Sequence, residues 1–196
     1  MEQKIYVSEE HLTSEQVRKE LHRERYKRRY GSVVRSTIYM LVVVAACAVL
    51  VTTILMPVLQ IYGSSMTPTL NEGEIVISLK GSEYERGDIV GFYYGNKLLI
   101  KRCIGRPGEW IDIDKEGNVY IDNEKFEEPY LTEKALGDCD LELPYQVPDG
   151  KWFLMGDHRA TSVDSRSSVV GSVSDEQMVG RIVFKIWPLS EFGPIE

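Results

Sequence analysis

One uninterrupted apolar run stands out in the first third of the chain, from Ile38 to Met56 (IYMLVVVAACAVLVTTILM). It contains no charged residue and has about the length, roughly 20 residues, that a helix needs to cross a bilayer. A cleaved signal peptide would have a shorter apolar core and a shorter basic leader. A buried helix of a soluble domain is the alternative. The run predicts a transmembrane helix over residues 38–57, preceded by a basic segment, residues 1–37.

After this run the pattern changes to short segments that are rich in β-branched and aromatic residues and are separated by turn signals. These segments predict strands at Glu74–Leu79, Asp88–Tyr94, Leu98–Ile104, Asn118–Asp122, Trp152–Met155 and Val179–Trp187. The fold class predicted for residues 58–196 is mainly β, with antiparallel sheets forming a distorted barrel-like domain. Residues 112–149 are expected to include an inserted loop or subdomain, because Glu124–Asp149 is acidic and broken by prolines.

The net charge of −7 is unevenly distributed, with +3 over residues 1–35 and −10 over the remainder. Basic residues crowd Arg18–Arg35, just before the apolar run. The positive-inside rule therefore predicts a cytoplasmic N-terminus and an extracytoplasmic β-rich domain in the cell membrane. The basic stretch is also suited to contact with anionic membrane lipid. An acidic folded part argues against a nucleic-acid-binding domain, which usually carries a basic patch.

The cysteines and histidines give no metal-binding signature. Cys47 lies in the apolar run, whereas Cys103 and Cys139 lie in the β-rich part, where they could form a disulfide or remain thiols. We therefore expect neither a metal nor a cofactor.

Three polar segments of the β-rich part carry groups that could perform chemistry. Gly63–Leu70 (GSSMTPTL) places hydroxyls in a glycine-containing turn, although a simple linker would look similar. Lys101 stands among apolar residues of a predicted strand. Burial there would lower its pKa and make the amine a base for a serine, whereas exposure would leave it an ordinary surface lysine. Met155–Arg166 (MGDHRATSVDSR) is dense in hydrogen-bonding groups and could orient a catalytic side chain or only stabilise its own turn.

The histidine positions bear on the choice of base for a serine nucleophile. His11 and His22 lie in the predicted cytoplasmic segment, which leaves His158 as the histidine of the outer domain. Lysine is the other known partner of a nucleophilic serine.

Four segments in this order, GSSMTPTL, RGDIV, LIKRCIGRPGE and MGDHRATSVDSR, follow a charged head and a single apolar span. Together they resemble the sequence boxes of bacterial type I signal peptidases, and the small size is similar to that of Gram-positive members. The resemblance implies a membrane-bound serine endopeptidase that removes N-terminal signal peptides from secreted preproteins after small residues. Its partners would be the signal peptides of translocated preproteins.

The resemblance also implies roles for individual residues. Ser65 would be the nucleophile, Lys101 the general base, and Ser162 the residue that orients the lysine amine. The backbone amide of Ser65 would donate to the oxyanion. Gly63 occupies the place where some relatives have a hydroxyl donor, and the adjacent Ser64 is not assumed to replace it, so the second oxyanion donor stays open.

Two ion pairs with a structural role are implied as well, Asp164–Arg166 and Arg102–Asp157. His158 stands where the family usually has asparagine. A histidine-based mechanism exists in the eukaryotic and archaeal branch, but that branch has its histidine at the position of Lys101, so lysine is retained as the base.

Three other functions remain open at this point. The first is a Ser–Lys peptidase for other substrates, such as a pilin-linked or sortase-linked processing enzyme of the same fold. The second is an inactive relative that assists translocated proteins, against which the intact Ser65 and Lys101 argue. The third is a membrane-tethered binding module, which would not need the sequence boxes.

Overall fold

The computed structural model describes residues 14–81 and 83–195, so residues 1–13 of the predicted basic segment lie outside the described residues. The chain divides into two compact units, Met1–Leu50 and Val51–Glu196. A long helix, α1 (Ser14–Leu55), precedes all described strands. The strands are β1 (Val58–Gln60), β2 (Ile75–Leu79), β3 (Ile89–Tyr94), β4 (Lys97–Gly105), β5 (Trp110–Ile113), β6 (Val119–Ile121), β7 (Glu124–Lys125), β8 (Tyr145–Gln146), β9 (Lys151–Met155), β10 (Val173–Ser174), β11 (Met178–Trp187) and β12 (Gly193–Pro194). Short 3₁₀ turns occupy Asp175–Gln177 and Leu189–Glu191.

The helix α1 begins well before the apolar run. Arginine, lysine and glutamate are good helix formers, and residues three positions apart on a helix face each other. Arg23 and Lys27 accordingly pair with Glu20 and Glu24, at 3.5 and 3.6 Å. The part from Val17 to Leu55 is long and apolar enough to cross a membrane by length and composition.

The larger sheet has eight strands, all paired antiparallel, in the order β1-β2-β11-β3-β4-β9-β10, with β12 added to β11. The strand β4 lies near its centre, between β3 and β9. Its register sets Lys101 opposite Val90 and Arg102 opposite both Ile89 and Met155. Its C-terminal half, from Lys101 to Gly105, is buried.

The smaller sheet has four antiparallel strands in the order β7-β6-β5-β8 and overlaps the segment expected to hold an insertion, although β5 begins two residues before it. The alternation in β5 and β6 buries isoleucine and valine side chains on one face. These pack with residues of β4 and β9 into one core of Ile104, Ile111, Ile113, Val119, Ile121, Val147, Phe153 and Met155. The two sheets therefore share a hydrophobic core.

Two further cores support the larger sheet. One consists of Ile61, Met66, Leu70, Val76, Ile89 and Ile182. The other consists of Val90, Phe92, Cys103, Trp152, Leu154 and Val173. The first core contains two side chains of the Gly63–Leu70 turn, which anchors this turn to the sheet.

The predicted fold class is confirmed, with antiparallel sheets and, in the described part of the chain, one long apolar helix. The pattern predicts no strand at β1, β5, β7, β8, β10 or β12, and most of these are too short to show a period. Cys103 and Cys139, which could have paired, are both free thiols.

Candidate active site

Ser65 lies in a compact turn. Gly63 adopts a positive φ of 80°, a conformation that favours glycine. The turn closes with hydrogen bonds from the Thr67 amide to the Ser64 carbonyl (3.1 Å) and from the Leu70 amide to the Met66 carbonyl (2.9 Å). Because Met66 and Leu70 are buried, the turn has little freedom, and Ser65 is held half-exposed.

The structure brings Lys101 and Ser65 together. Lys101 is only 3% exposed, and its Nζ donates a hydrogen bond to Ser65 Oγ at 2.7 Å. The two residues are 36 positions apart in the chain, so the contact depends on the pairing of β4 within the sheet. This is the contact that a Ser–Lys pair requires, with a base and a nucleophile within hydrogen-bond reach.

The surroundings lower the pKa of the Lys101 amine. Burial is the largest cause, because removal from water penalises the charged form. The carboxylates of Asp164 and Asp157 act in the opposite direction, while the positive charge of Arg166 adds to the lowering. The net direction favours a neutral amine, which can accept a proton.

The Met155–Arg166 segment forms a buried loop around an ion pair. Both carboxylate oxygens of Asp164 accept from the Arg166 guanidinium, each at 2.9 Å, and the amide of Gly156 donates to Asp164 Oδ2, also at 2.9 Å. Burial alone would raise the pKa of Asp164, but the hydrogen bonds and charge of Arg166 hold that pKa below its usual value. This direction favours the charged form of Asp164, although both side chains of the pair are fully buried.

A second buried ion pair ties β4 to this loop. Arg102 donates to both oxygens of Asp157, from Nε at 3.0 Å and from a terminal nitrogen at 2.8 Å. Its other terminal nitrogen donates to the Gly87 carbonyl at 2.7 Å. Thr69, on the Gly63–Leu70 turn, donates to Asp157 Oδ2 at 2.5 Å. Asp157 thus links the strand that carries Lys101 to the turn that carries Ser65.

Ser162 is buried close to this site, but no hydrogen bond joins its hydroxyl to the Lys101 amine among the described contacts. The hydrogen bond from Ser162 to the Lys101 amine is thus not present here, and the orienting role of Ser162 stays a prediction. Ser64 is exposed and contributes its carbonyl to the turn.

His158 is placed next to Ser65 through its backbone. Its amide donates to the Ser65 carbonyl at 3.0 Å. Its imidazole Nδ1 instead makes a hydrogen bond with Thr161 Oγ1, within its own loop.

A groove of about 510 Å³ opens beside Ser65 and Lys101. It is lined by the segment from Val58 to Met66, apart from Ser64, and by Lys97–Lys101. Most of the lining side chains are apolar, with leucine and isoleucine on both walls. The groove has the size and character of a small-ligand or peptide site.

Three residues near the site are not predicted by any sequence signal. Arg159 is fully buried and forms a bidentate pair with Glu128, and Tyr130 donates to Glu128 at 2.8 Å. Glu128 and Tyr130 stand in an acidic, proline-containing stretch that looks solvated, so no local signal separates them from their exposed neighbours. Within residues 14–81 and 83–195, no cluster of three or more His, Cys, Asp or Glu side chains is arranged to hold a metal.

Comparison with known proteins identifies the family. The family model described as signal peptidase, peptidase S26, matches residues 34–187, which is more than half of the chain. This chain belongs to that family. The predicted family is confirmed, and with it the predicted class of enzyme, a serine endopeptidase.

Individual relatives agree with this assignment. The chain is 35% identical to "Signal peptidase I" of Bacillus amyloliquefaciens over 164 aligned positions, covering 77% of this chain and 84% of the relative. It is also 35% identical to "Signal peptidase I T" of Bacillus subtilis strain 168 over 164 positions, which cover 77% of this chain and 84% of the relative. "Signal peptidase IB" of Staphylococcus aureus is 36% identical over 152 positions, 67% of this chain and 78% of the relative. A crystal structure of a signal peptidase I from Enterococcus faecalis V583 covers 51% of this chain and 97% of its own at 26% identity, with a TM-score of 0.42.

Proposed function

We propose that this chain removes signal peptides from translocated preproteins, with Ser65 as nucleophile and Lys101 as general base. Family membership supports the substrate class. The 2.7 Å contact between Lys101 Nζ and Ser65 Oγ supports the roles and is the single observation that carries them.

In the first half of the reaction, the neutral amine of Lys101 accepts the hydroxyl proton of Ser65. Ser65 Oγ then attacks the carbonyl carbon of the scissile peptide bond, and the carbonyl oxygen becomes an oxyanion. The protonated lysine returns the proton to the nitrogen of the leaving peptide, the carbon–nitrogen bond breaks, and an ester on Ser65 remains.

In the second half, Lys101 accepts a proton from water, and the resulting hydroxide attacks the ester carbonyl. The bond to Ser65 Oγ breaks, the serine regains its proton from the lysine, and the carboxylic acid of the signal peptide leaves. No step in this sequence needs a metal or a cofactor.

The amide of Ser65 is the donor we assign to the oxyanion. In the described part of the chain this N–H makes no hydrogen bond, so it is available to a substrate. One preorganised donor of this kind contributes about 3–4 kcal/mol to the transition state. Gly63 has no side-chain donor, and Ser64 is not assumed to supply one, so the second oxyanion donor stays open.

The apolar groove beside the dyad is assigned to the signal peptide. Its walls suit small and apolar side chains ahead of the cleaved bond, in agreement with the A-x-A-like sites of signal peptides. We assign α1 to the membrane, with the basic residues on the cytoplasmic side in contact with anionic lipid and the β-rich unit on the outer side.

The test is to incubate the purified full chain in detergent with a preprotein and to map the products by mass spectrometry. We expect one cut after a small residue at the end of the signal peptide, and no product with Ser65→Ala. Cleavage confined to mature sequences would instead favour a Ser–Lys peptidase with other substrates, and no cleavage of any preprotein would overturn the proposal.

A further inference from the structure

A buried carboxylate from the inserted segment reaches the loop around Ser65. Glu128 lies between β7 and β8, and its side chain is fully buried although its neighbours Glu127 and Pro129 are exposed. Its two oxygens accept from the two terminal nitrogens of Arg159, and Tyr130 adds a third hydrogen bond at 2.8 Å. This carboxylate has no part in the mechanism described above.

Arg159 connects Glu128 to the Gly156–His158 backbone, which contacts Ser65. Its Nε donates to the Gly156 carbonyl at 3.0 Å, which leaves all three guanidinium nitrogens bonded. The amide of His158, the preceding residue, donates to the Ser65 carbonyl at 3.0 Å. Burial opposes the charge of Arg159, but the bonds to Glu128 outweigh it and raise the pKa of the guanidinium.

Gly156 shows how closely this loop meets Ser65. A Cβ at Gly156 would lie 2.5 Å from the Ser65 carbonyl oxygen, which is far inside contact distance. A small displacement of the loop would therefore displace Ser65 as well, because no space separates the two backbones.

The same inserted segment also contacts the strand of the base. The Arg102 guanidinium lies over the Tyr130 ring, 3.9 Å from its centroid, in a cation–π contact. Arg102 directly follows Lys101 in β4. Glu128 thus contacts the Met155–Arg166 loop, which meets Ser65, and Tyr130 contacts the strand that carries the base.

Stability alone is a poor explanation for a buried pair such as Glu128–Arg159. Two apolar residues of similar volume would usually stabilise a fold as well or better, because burying two charges carries a large desolvation penalty. A bidentate guanidinium, in contrast, fixes an angle and a distance, which a loose apolar contact does not.

We propose that Glu128 is a positioning residue for Ser65. Through Arg159 it fixes the Gly156–His158 backbone, which holds the Ser65 carbonyl, and it thereby sets the separation between Ser65 Oγ and Lys101 Nζ. The inference rests on the proposed function, since it assumes that these two groups react.

The test uses the full chain in detergent and a preprotein substrate. The main variant replaces both partners, Glu128→Leu with Arg159→Met, so that no unpaired charge is buried and folding is preserved. Single-turnover cleavage and steady-state rates are measured beside a thermal melt. Glu128→Gln, which keeps size but loses charge, is measured in parallel.

The matched control changes the pair Arg86–Glu109 in the same way, with Arg86→Met and Glu109→Leu. It is also an Arg–Glu contact, but it is partly exposed and has no hydrogen bond to the Met155–Arg166 loop. We expect this control to cleave at the wild-type rate.

For the Glu128–Arg159 double variant we expect a melting temperature close to that of the wild type. Its single-turnover rate should fall by about 100-fold, with KM within about twofold, as expected for a misplaced nucleophile. A double variant that folds and cleaves at the wild-type rate would overturn the inference while leaving the proposed function intact. Rates that fall only in proportion to the unfolded fraction would overturn it too. If the wild type cleaves no preprotein, both proposals fall.

Discussion

The backbone amide of His158 donates a hydrogen bond to the carbonyl oxygen of Ser65 at 3.0 Å, while its imidazole bonds to Thr161. The histidine that the sequence offered as an alternative base is therefore a neighbour of Ser65 through its main chain. The contact with Ser65 Oγ belongs to Lys101.

We expect His158→Asn to retain activity within about threefold, because every residue other than proline supplies the same backbone amide. Initial cleavage rates of the variant and the wild type on one preprotein provide the measurement. A histidine base would lose a thousandfold or more on this substitution, and such a loss would reject the lysine assignment.

Lys101→Met should abolish cleavage without unfolding the protein. Methionine fills nearly the same volume, and it removes a buried amine whose charged form burial disfavours. We expect at least a thousandfold loss in kcat with a melting temperature equal to or above that of the wild type. Ser65→Ala should lose activity to a similar degree. Appreciable turnover by a folded Lys101→Met protein would contradict the dyad.

Activity should rise with pH as Lys101 loses its proton. Because burial lowers the pKa of this amine, the midpoint of the rising limb should lie below 10.5, the ordinary lysine value. A pH profile of single-turnover cleavage measures it. A midpoint that coincides with the ordinary value would show that the amine is not desolvated in the working enzyme.

The stability of the fold should respond to the same group with a definite sign. Below the lowered pKa, Lys101 is protonated in both states and its burial destabilises the fold. As pH rises from there towards 10.5, the folded amine is neutral while the unfolded one still binds a proton, and this disadvantage disappears. The gain in melting temperature from Lys101→Met should accordingly shrink across that window.

Gly156→Ala should impair activity more than its size suggests. The added methyl group would meet the Ser65 carbonyl oxygen and the Ser162 hydroxyl, so the loop or Ser65 must shift. We expect a loss of about 1–3 kcal/mol in stability from overpacking, and at least a tenfold fall in kcat.

Gly193→Ala is the matched control for this substitution, since nothing lies within 4 Å of a Cβ at Gly193 and its φ is not positive. It should melt and cleave like the wild type. Equal behaviour of both alanine variants would contradict the tight contact at Gly156.

The local sequence pattern predicts the elements that are long enough to show a hydrophobic period. The central strand β4 has nine residues with apolar runs on both sides of Lys101 and Arg102, and α1 contains a charge-free run. By contrast, β7, β8, β10 and β12 have two residues each, and their pairing is decided by the neighbouring strand. The sequence pattern does not predict the start of α1 at Ser14, because charged residues form helices without any apolar signal.

In the candidate site, too, the sequence marks single residues but not the contacts between distant segments. Ser65 and Lys101 stand in recognisable sequence boxes, whereas their partnership depends on strand pairing between distant segments. The bidentate contact between Glu128 and Arg159 joins positions 31 residues apart and has no sequence signature. The close approach of the Ser162 hydroxyl to the Gly156 backbone is likewise visible only in three dimensions.

Lys101 and Arg102 are adjacent in β4, so the proposed chemistry depends on the register of this strand. Successive side chains of a strand point to opposite faces, so loss of one residue ahead of Lys101 would place the Arg102 guanidinium at the position of the amine, and gain of one residue would place Ile100 there. A guanidinium keeps its proton at any physiological pH and cannot serve as the base. A change of length in the turn at Gly95-Asn96 would leave this register intact, whereas an insertion or deletion within the strand would remove the proposed base from Ser65 with almost no change in composition.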